Sequence, residues 1–248
     1  MIRSGAPPGG EQPTDSYREF RHPLLALMLA TCTAGALDAF AFLRYGAFVA
    51  NQSGNALFLG IGPAGEHPAW PVSAASLLAF AASAGVVSWL RRPTRGAKAP
   101  LVDIAATEVA MIIWAVLNVV LSYGRHGPTA RVVLGAAGAV ALGSLTPLLT
   151  RTAGTHTTIT YQSGTTTKTG EHAVRWIVGP RAGRARARNA TLLGLLAIGS
   201  YTAGGALGTL AQRQPLWVPL WGALALAVLT LLVRRDGRPA PPHRAGPP

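Results

Sequence analysis

Apolar residues form long blocks along this chain, and the charged residues fall between the blocks. A helix needs about 20 apolar residues to cross the hydrocarbon core of a bilayer. Six blocks meet that requirement, and each predicts a transmembrane helix. The blocks are residues 24–43, 70–90, 101–123, 132–149, 190–210 and 216–233.

Two further segments are interrupted by polar residues. Residues 46–62 are apolar but short, and they contain the polar run from Asn51 to Asn55. Residues 150–171 contain ten threonines together with His156 and Lys168. Polar backbone and side chains at membrane depth must be enclosed by protein or line a wet cavity. Both segments are therefore predicted to be re-entrant or broken helices.

The basic residues predict the orientation in the membrane. If both interrupted segments return to the face they entered from, 18 of the 22 Lys and Arg residues lie on the side of the N-terminus. The four on the other side are Arg44, Arg125, Arg131 and Arg213. If both segments crossed fully, the basic 91–98 loop would face outward, against the positive-inside rule. We therefore expect six spans with both termini cytoplasmic.

The two halves of the chain are related by an internal repeat. Residues 51–60 (NQSGNALFLG) and 161–170 (YQSGTTTKTG) share Gln-Ser-Gly and a later glycine. The flanking spans align at a similar offset, and Gly35-Ala36-Leu37-Asp38 parallels Gly143-Ser144-Leu145-Thr146. Because each half contributes three crossings, the halves must have opposite orientations, as in many transporters. The predicted fold is all-α integral membrane, with repeats at 23–123 and 130–233 between disordered cytoplasmic tails at 1–22 and 234–248.

Composition agrees with this class of protein. Only 12% of the residues are charged, against about 25% in an ordinary soluble domain. The net charge of +13 does not indicate nucleic-acid binding, because the arginines fall in short loops where membrane topology requires them. Richness in alanine, arginine and glycine favours a bacterial source and hence the plasma membrane. No catalytic, cofactor or metal-binding motif occurs in a suitable context, so an enzyme is not expected.

Several elements resemble a known family. Gly35-x-x-Asp38, the run Phe48-Val49-Ala50-Asn51-Gln52-Ser53-Gly54-Asn55, Gln162-Ser163-Gly164-Thr165 and Tyr201-x-x-Gly204-Gly205-Ala206 are similar to the signature of the YoaK-like family. These are bacterial multi-pass membrane proteins classed as a domain of unknown function. The resemblance covers about residues 23–233. It implies the membrane fold, and it implies no particular activity.

Two acidic residues within the spans are candidate site residues. Asp38 lies deep in the first block, where an ionised carboxylate is costly and usually faces a cavity, an ion or a partner. It is either a proton or cation site, or a structural acid bonded to hydroxyls such as those of Thr31 and Thr33. Glu108 lies near the cytoplasmic end of the third block and has the same two interpretations. Asp103 is expected to be an interfacial acid at the start of that helix.

The Gln-Ser-Gly segments are the other candidate sites. Half-helices that enter from opposite faces would direct their N-terminal dipoles at the membrane middle, which suits an anion or polar solute. The alternative is that both segments are packing devices whose polar groups bind one another. The candidate pathway residues are Asn51, Gln52, Ser53, Gly54, Asn55, His156, Gln162, Ser163, Gly164 and Thr165.

Two functions are consistent with these features. The first is a secondary transporter or channel for a small polar or ionic solute, with a path between the inverted halves. The second is a non-transporting scaffold or accessory subunit that binds partner helices through glycine-rich faces such as 135–138 and 199–208. The expected partners are bilayer lipid, a small solute or ion, and further copies of the chain.

Overall fold

The computed structural model describes residues 20–91, 99–122, 127–149, 151–152, 155–156, 162–214 and 217–233. These residues are mostly helical, with a short antiparallel hairpin of β1 (Arg151–Thr152) and β2 (Thr155–His156). The helices are α1 (Pro23–Tyr45), α2 (Gln52–Ile61), α3 (Trp70–Arg91), α4 (Ala99–Ser122), α5 (Pro128–Leu145), α6 (Gln162–Val178), α7 (Arg181–Leu210) and α8 (Val218–Leu232). Short 3-10 turns follow α2, α5 and α7.

Five of the described helices, α1, α3, α4, α5 and α7, are long and apolar enough to cross a membrane. The prediction of a multi-pass helical membrane protein is confirmed. The sixth predicted span corresponds to α8, which is apolar but has only 15 residues. At about 1.5 Å per residue α8 is about 22 Å long, which is shorter than a hydrocarbon core of about 30 Å. The six-span count therefore depends on this short helix.

Helix α7 begins nine residues before the predicted span, at Arg181 rather than at residue 190. Residues 181–189 are an arginine- and alanine-rich stretch that we expected to be a loop. Alanine and arginine are among the strongest helix formers, so this stretch extends the helix beyond its apolar part. The 30 residues of α7 span about 45 Å, about 15 Å more than the hydrocarbon core.

Contacts between α1 and α4 give the relative direction of these two helices. Phe40 of α1 packs on Trp114 of α4, and further along both helices Tyr45 bonds Asn118. The contacts advance together, so α1 and α4 run in the same direction. Between them in the chain lie α3, which is long enough to span a membrane, and α2, which has only ten residues.

Glycines hold two further pairs of parallel helices in close contact. In the first pair, α1 and α7, Gly204 lies against the backbone of Cys32 and Gly208 against that of Ala36. In the second pair, α3 and α5, Gly135 lies against Val72, and Gly143 lies against Phe80. Without a hydrophobic drive between helices in lipid, such small residues allow the close backbone packing that stabilises the bundle. The predicted role as helix contacts is confirmed for Gly135, Gly138, Gly204 and Gly208, whereas nothing lies within 4 Å of a Cβ at Gly199.

The packing pairs of the first half recur in the second. If α1, α2, α3 and α4 are matched with α5, α6, α7 and α8, the pair α1–α7 becomes α5–α3. In the same way α2–α3 becomes α6–α7, and α4–α5 becomes α8–α1, and all six pairs are in contact.

Both described ends of the chain lie at one face of the bundle. The Arg21 amide donates to the Leu232 carbonyl at 2.8 Å, and Phe20 forms an isolated β-bridge with Val233. The end of α8 therefore lies beside the start of α1. Most of the predicted N-terminal tail (residues 1–19) and all of the predicted C-terminal tail (234–248) lie outside the described residues.

We expect Gly204→Leu to destabilise the protein by about 1–3 kcal/mol or more, because a side chain there would enter the Cys32 backbone and separate α1 from α7. Gly199→Leu is the matched control, since nothing lies within 4 Å of a Cβ at Gly199. Thermal unfolding in detergent measures the difference. Equal melting temperatures for the two variants would show that this packing does not limit stability.

Candidate functional site

The first polar segment turns back into the helix bundle just after α1. Helix α1 is followed by Gly46, whose φ of 82° is in the left-handed region that glycine adopts without steric cost. The chain then runs back into the bundle through residues 47–51, which we call the crossing segment, and begins α2 at Gln52. Val49 packs into the space left by the missing side chain of Gly138 on α5. The crossing is thus fixed between α1 and α5.

The carboxylate of Asp38 accepts hydrogen bonds from the backbone of the crossing segment. Its Oδ1 accepts the amides of Val49 (2.8 Å) and Ala50 (2.6 Å), and its Oδ2 accepts the amide of Asn51 (2.9 Å). The first amides of a helix have no intrahelical acceptor, and the helix dipole favours an anion at that end. Asp38 is buried, and it binds the three amides that directly precede α2, so its carboxylate lies beside the N-terminus of that helix.

Tyr201 of α7 completes the contacts of this carboxylate. Its hydroxyl donates to Asp38 Oδ2, so both carboxylate oxygens accept two hydrogen bonds. This bond joins α1 and the crossing segment to a helix of the second half. Thr31 and Thr33, which we considered as partners of Asp38, instead donate to carbonyls one turn earlier in α1.

Asn55 holds the crossing segment from its other side. Its side-chain oxygen accepts the Phe48 amide at 2.9 Å, and its side-chain nitrogen donates to the Phe48 carbonyl and to Gln52 Oε1. Gln52 in turn donates to the Val49 carbonyl, and Ser53 donates to Asn51 Oδ1. Four of the candidate polar side chains therefore bind within their own segment.

Aromatic rings cover this segment on the side toward the α2–α3 turn. Phe48 stacks between Phe42 and Phe58, with centroid distances of 4.8 and 5.9 Å. The ring of Phe48 also fills the space beside Gly54, where a Cβ would approach it to 2.6 Å. His67 stacks on Phe58 and contacts the Gly46 carbonyl through Nε2 at 2.9 Å. Gly54 is required by its close contact with Phe48, whereas nothing lies within 4 Å of a Cβ at Gly60.

The second polar segment has a different environment. Helix α6 packs on α7 through Thr165 and Thr169, both buried, and Thr169 lies against Gly194. Its opposite side leaves Ser163, Thr166 and Thr167 exposed. Gly164 lies between these two sides and is half-buried, His156 lies in β2, and Gln162 begins α6; the side chains of His156 and Gln162 are outside the described residues.

The two acids of α4 lie apart from the crossing segment. Glu108 is half-buried, and its Oε2 is buried without a hydrogen-bond partner among the described residues. Asp103, the fifth residue of α4, is fully buried within the protein. No group of three or more metal-ligating side chains forms among the described residues.

Sequence reasoning did not identify Tyr201 as a site residue, nor the pair of Tyr45 and Asn118. Tyr45 donates to Asn118 Oδ1 at 2.5 Å, and Asn118 donates to the Trp114 carbonyl. A buried tyrosine hydroxyl normally has a hydrogen-bond partner. Tyr201, in the middle of an apolar span, and Tyr45, at the end of one, were therefore available signals, but neither position specifies which polar residue is the partner.

The long apolar helices and the carboxylate-capped returning helix define a polytopic α-helical membrane protein. The model of one family, described as "Protein of unknown function (DUF1275)", matches residues 26–233. The chain belongs to that family, and the predicted resemblance to its YoaK-like members is confirmed. No curated protein and no solved structure matches the chain.

We expect Asp38→Ala to be the most destabilising substitution in the site, because it leaves three buried amides without an acceptor. The loss of each costs about 1–3 kcal/mol. Asp38→Asn should cost less, since one carbonyl oxygen remains, and Tyr201→Phe should cost about 1.5–3 kcal/mol, the value of one bond to a charged group. Chemical unfolding in mixed micelles gives the order. Asp38→Ala with unchanged stability would exclude a capping role.

Proposed function

We propose that this protein is a secondary transporter or channel for a small polar or ionic solute, with a path that includes the exposed face of α6. The observation that carries the proposal is the set of exposed hydroxyls on α6 at membrane depth. The same proposal includes the six-span arrangement and the inverted orientation of the two halves. The exchange of packing pairs between the halves supports that relationship.

The depth of α6 follows from its contacts with α7. Leu27, in the second turn of α1, clusters with Leu193 and Ala197 of α7. Thr169 contacts Gly194, the residue after Leu193, so Thr169 lies at about the level of Leu27. The contact falls in the first half of α7, and the two helices are joined directly at Gly179–Pro180, so they are antiparallel. Ser163 is therefore about 9 Å deeper than Thr169.

Hydroxyl groups at this depth favour a hydrated environment. Ser163, Thr166 and Thr167 are exposed on one side of α6, and Lys168 is exposed beside them. A charged pair such as Lys168 and Glu171 is costly to place in hydrocarbon. Water or solute in contact with this face would remove that cost. The face is open toward the side of the bundle where both described chain ends lie.

The two half-helices differ in what their N-termini contact. The N-terminus of α2 is closed by Asp38, whereas the sequence aligned with Asp38 in the second half has Thr146, which donates to the Leu142 carbonyl of its own helix. In this proposal the first segment is a fixed gate or anchor, and the second segment lines the solute path. We place the protein in a bacterial plasma membrane, with both termini and the α6–α7 joint cytoplasmic, because the basic residues favour that orientation.

A second candidate function is the non-transporting scaffold. It is favoured by the first polar segment, in which Gln52, Ser53 and Asn55 bind within the segment itself. A segment whose polar groups are satisfied in this way is an effective packing device. The exposed face of α6 distinguishes the two functions, because a scaffold has no need for water there.

Thiol accessibility tests the proposal directly. In a Cys32→Ser background, we expect Ser163→Cys and Thr167→Cys to react with a membrane-impermeant maleimide added on the side of the termini. We expect Ser53→Cys to react only from the other side, since Ser53 is exposed in the first turn of α2, in the opposite half of the repeat. Ala203→Cys is the matched control, because it is exposed on α7 at a depth similar to that of Ser163.

Either outcome of this labelling decides between the candidate functions. Inert cysteines at 163 and 167, like that at 203, would mean that α6 faces lipid or protein, and the scaffold would be favoured. If they react, swelling of proteoliposomes in urea, glycerol and sodium chloride tests for permeation. The double variant Thr166→Leu/Thr167→Leu should reduce any permeation tenfold or more, whereas Leu207→Ala, on the exposed surface of α7, should not.

A further inference from the structure

The first two turns of α7 carry an arginine surface that no described residue covers. Arg181, Arg184 and Arg188 are exposed and recur at spacings of three and four, so they share one face of the helix. Arg186 lies two residues from both Arg184 and Arg188, on the opposite side of the helix. We call Arg181, Arg184 and Arg188 the arginine stripe. Membrane orientation requires basic residues at this end of the chain, but it does not require them on one face.

The acidic residues described near the stripe do not neutralise it. Glu171 of α6 is paired with Lys168 at 3.0 Å, and this neighbour lowers the pKa of the Glu171 carboxyl. Within the described part of the chain, no carboxylate forms an ion pair with the arginine stripe. Arg184 does donate through Nε to the Gly179 carbonyl, which orients its guanidinium at the α6–α7 joint. The stripe therefore offers three positive charges to an anionic partner.

The arginine stripe lies too far from the hydrocarbon to be explained by the bilayer alone. About 15 Å of α7 exceeds the hydrocarbon thickness, and the stripe is on that part. The headgroup region adds only about 5–8 Å on each side of the core. Arg181 and Arg184 thus extend past the phosphate layer. Their location favours a polypeptide partner over a lipid headgroup.

The N-terminal segment of the same chain has the matching charge. Glu11, Asp15 and Glu19 are three of the nine acidic residues in the protein, and only Arg18 is basic among residues 11–19. Residues 11–19 therefore carry a net charge of −2 in a chain whose net charge is +13. The other nine-residue stretch with a net charge of −2, residues 101–109, lies within helix α4, where Asp103 is buried, so charge complementarity selects residues 11–19.

The segment also begins at the right place to reach the stripe. Phe20 is fixed beside Val233, at the start of α1. The cluster of Leu27 with Leu193 and Ala197 places the start of α1 close to the turns of α7 that carry the arginines. From Arg188 to Arg181 is about 11 Å along the helix, whereas nine residues can extend over about 30 Å. All three acids are thus within reach of all three arginines.

We propose that residues 11–19 dock on the arginine stripe of α7 and cover it as an intramolecular regulatory contact. The contact is electrostatic and lies at the surface, so it is weakened by salt. It does not depend on the transport proposal, because it concerns the base of α7 outside the membrane. Since α7 also carries Tyr201, the docked segment would restrain the helix that contacts Asp38.

Distance measurement between spin labels tests the docking. The full chain is used in nanodiscs, in a Cys32→Ser background, with labels at Ser16→Cys and Ala185→Cys. Ala185 is exposed beside the arginine stripe. We expect a dominant short-distance population at low salt that is lost at high salt. The same loss is expected in Glu11→Gln/Asp15→Asn/Glu19→Gln and in Arg181→Gln/Arg184→Gln/Arg188→Gln.

Matched variants distinguish docking of residues 11–19 on the arginine stripe from docking elsewhere. Arg186→Gln, on the opposite side of α7, should leave the short-distance population intact, as should Arg234→Gln/Arg235→Gln, which removes competing charge near Val233. If only the second of these abolishes the short distance, the segment docks on the C-terminal arginines and the proposal is wrong. It is also wrong if the distance depends on anionic lipid in the nanodisc but not on the acids of the segment. A melting temperature close to that of the unmodified protein confirms that the exposed arginines were replaced without unfolding.

Discussion

The bond between one buried carboxylate and the amides of a returning chain is the interaction on which the first half of this protein depends. A chain that turns back into an apolar bundle has no water to satisfy the amides of the turn, and each unpaired amide is costly there. Asp38 accepts the amides of Val49, Ala50 and Asn51, and it does so from α1, the helix that precedes the turn. The helix that enters the turn thereby provides the acceptor for the amides that lead into the next helix. In return, the amides and the hydroxyl of Tyr201 stabilise a carboxylate that would otherwise be costly to bury.

This mutual dependence changes how the intramembrane acid is interpreted. An aspartate within a span usually indicates a site for an ion or a substrate. Here the four hydrogen bonds occupy both oxygens, and the position in which a half-helix would hold an anionic ligand is taken by a residue of the protein itself. The second half has no such residue in the aligned position, and α6 exposes hydroxyls in place of the phenylalanine cover of α2. The two segments share a Gln-Ser-Gly sequence, but their environments favour different roles.

Close backbone packing provides the frame in which these contacts form. Gly204 and Gly208 allow α7 to approach α1, and Gly135 and Gly143 allow α5 to approach α3. In a bilayer, helices gain little from burying apolar side chains against each other, so such small-residue contacts carry much of the association. They also determine the site, because Tyr201 reaches Asp38 only when α7 lies directly against α1. The base of the same helix continues beyond the membrane, where its arginines lie at the face of the bundle that contains both described chain ends.

The sequence by itself determined the class of protein, because apolar blocks of the length of a bilayer have few other uses. It also located the interrupted segment at residues 46–62 and several glycines of the helix contacts, since a polar run inside an apolar region and repeated small residues are local features. It underestimated α7, where helix propensity extends the helix past its apolar part, and it left the length of the sixth span uncertain by several residues. The tertiary structure alone decided what Asp38 does. Its partners are peptide amides more than ten residues away and a tyrosine 163 residues away, and backbone amides carry no mark in a sequence that shows which of them will lack an acceptor until the helices are packed.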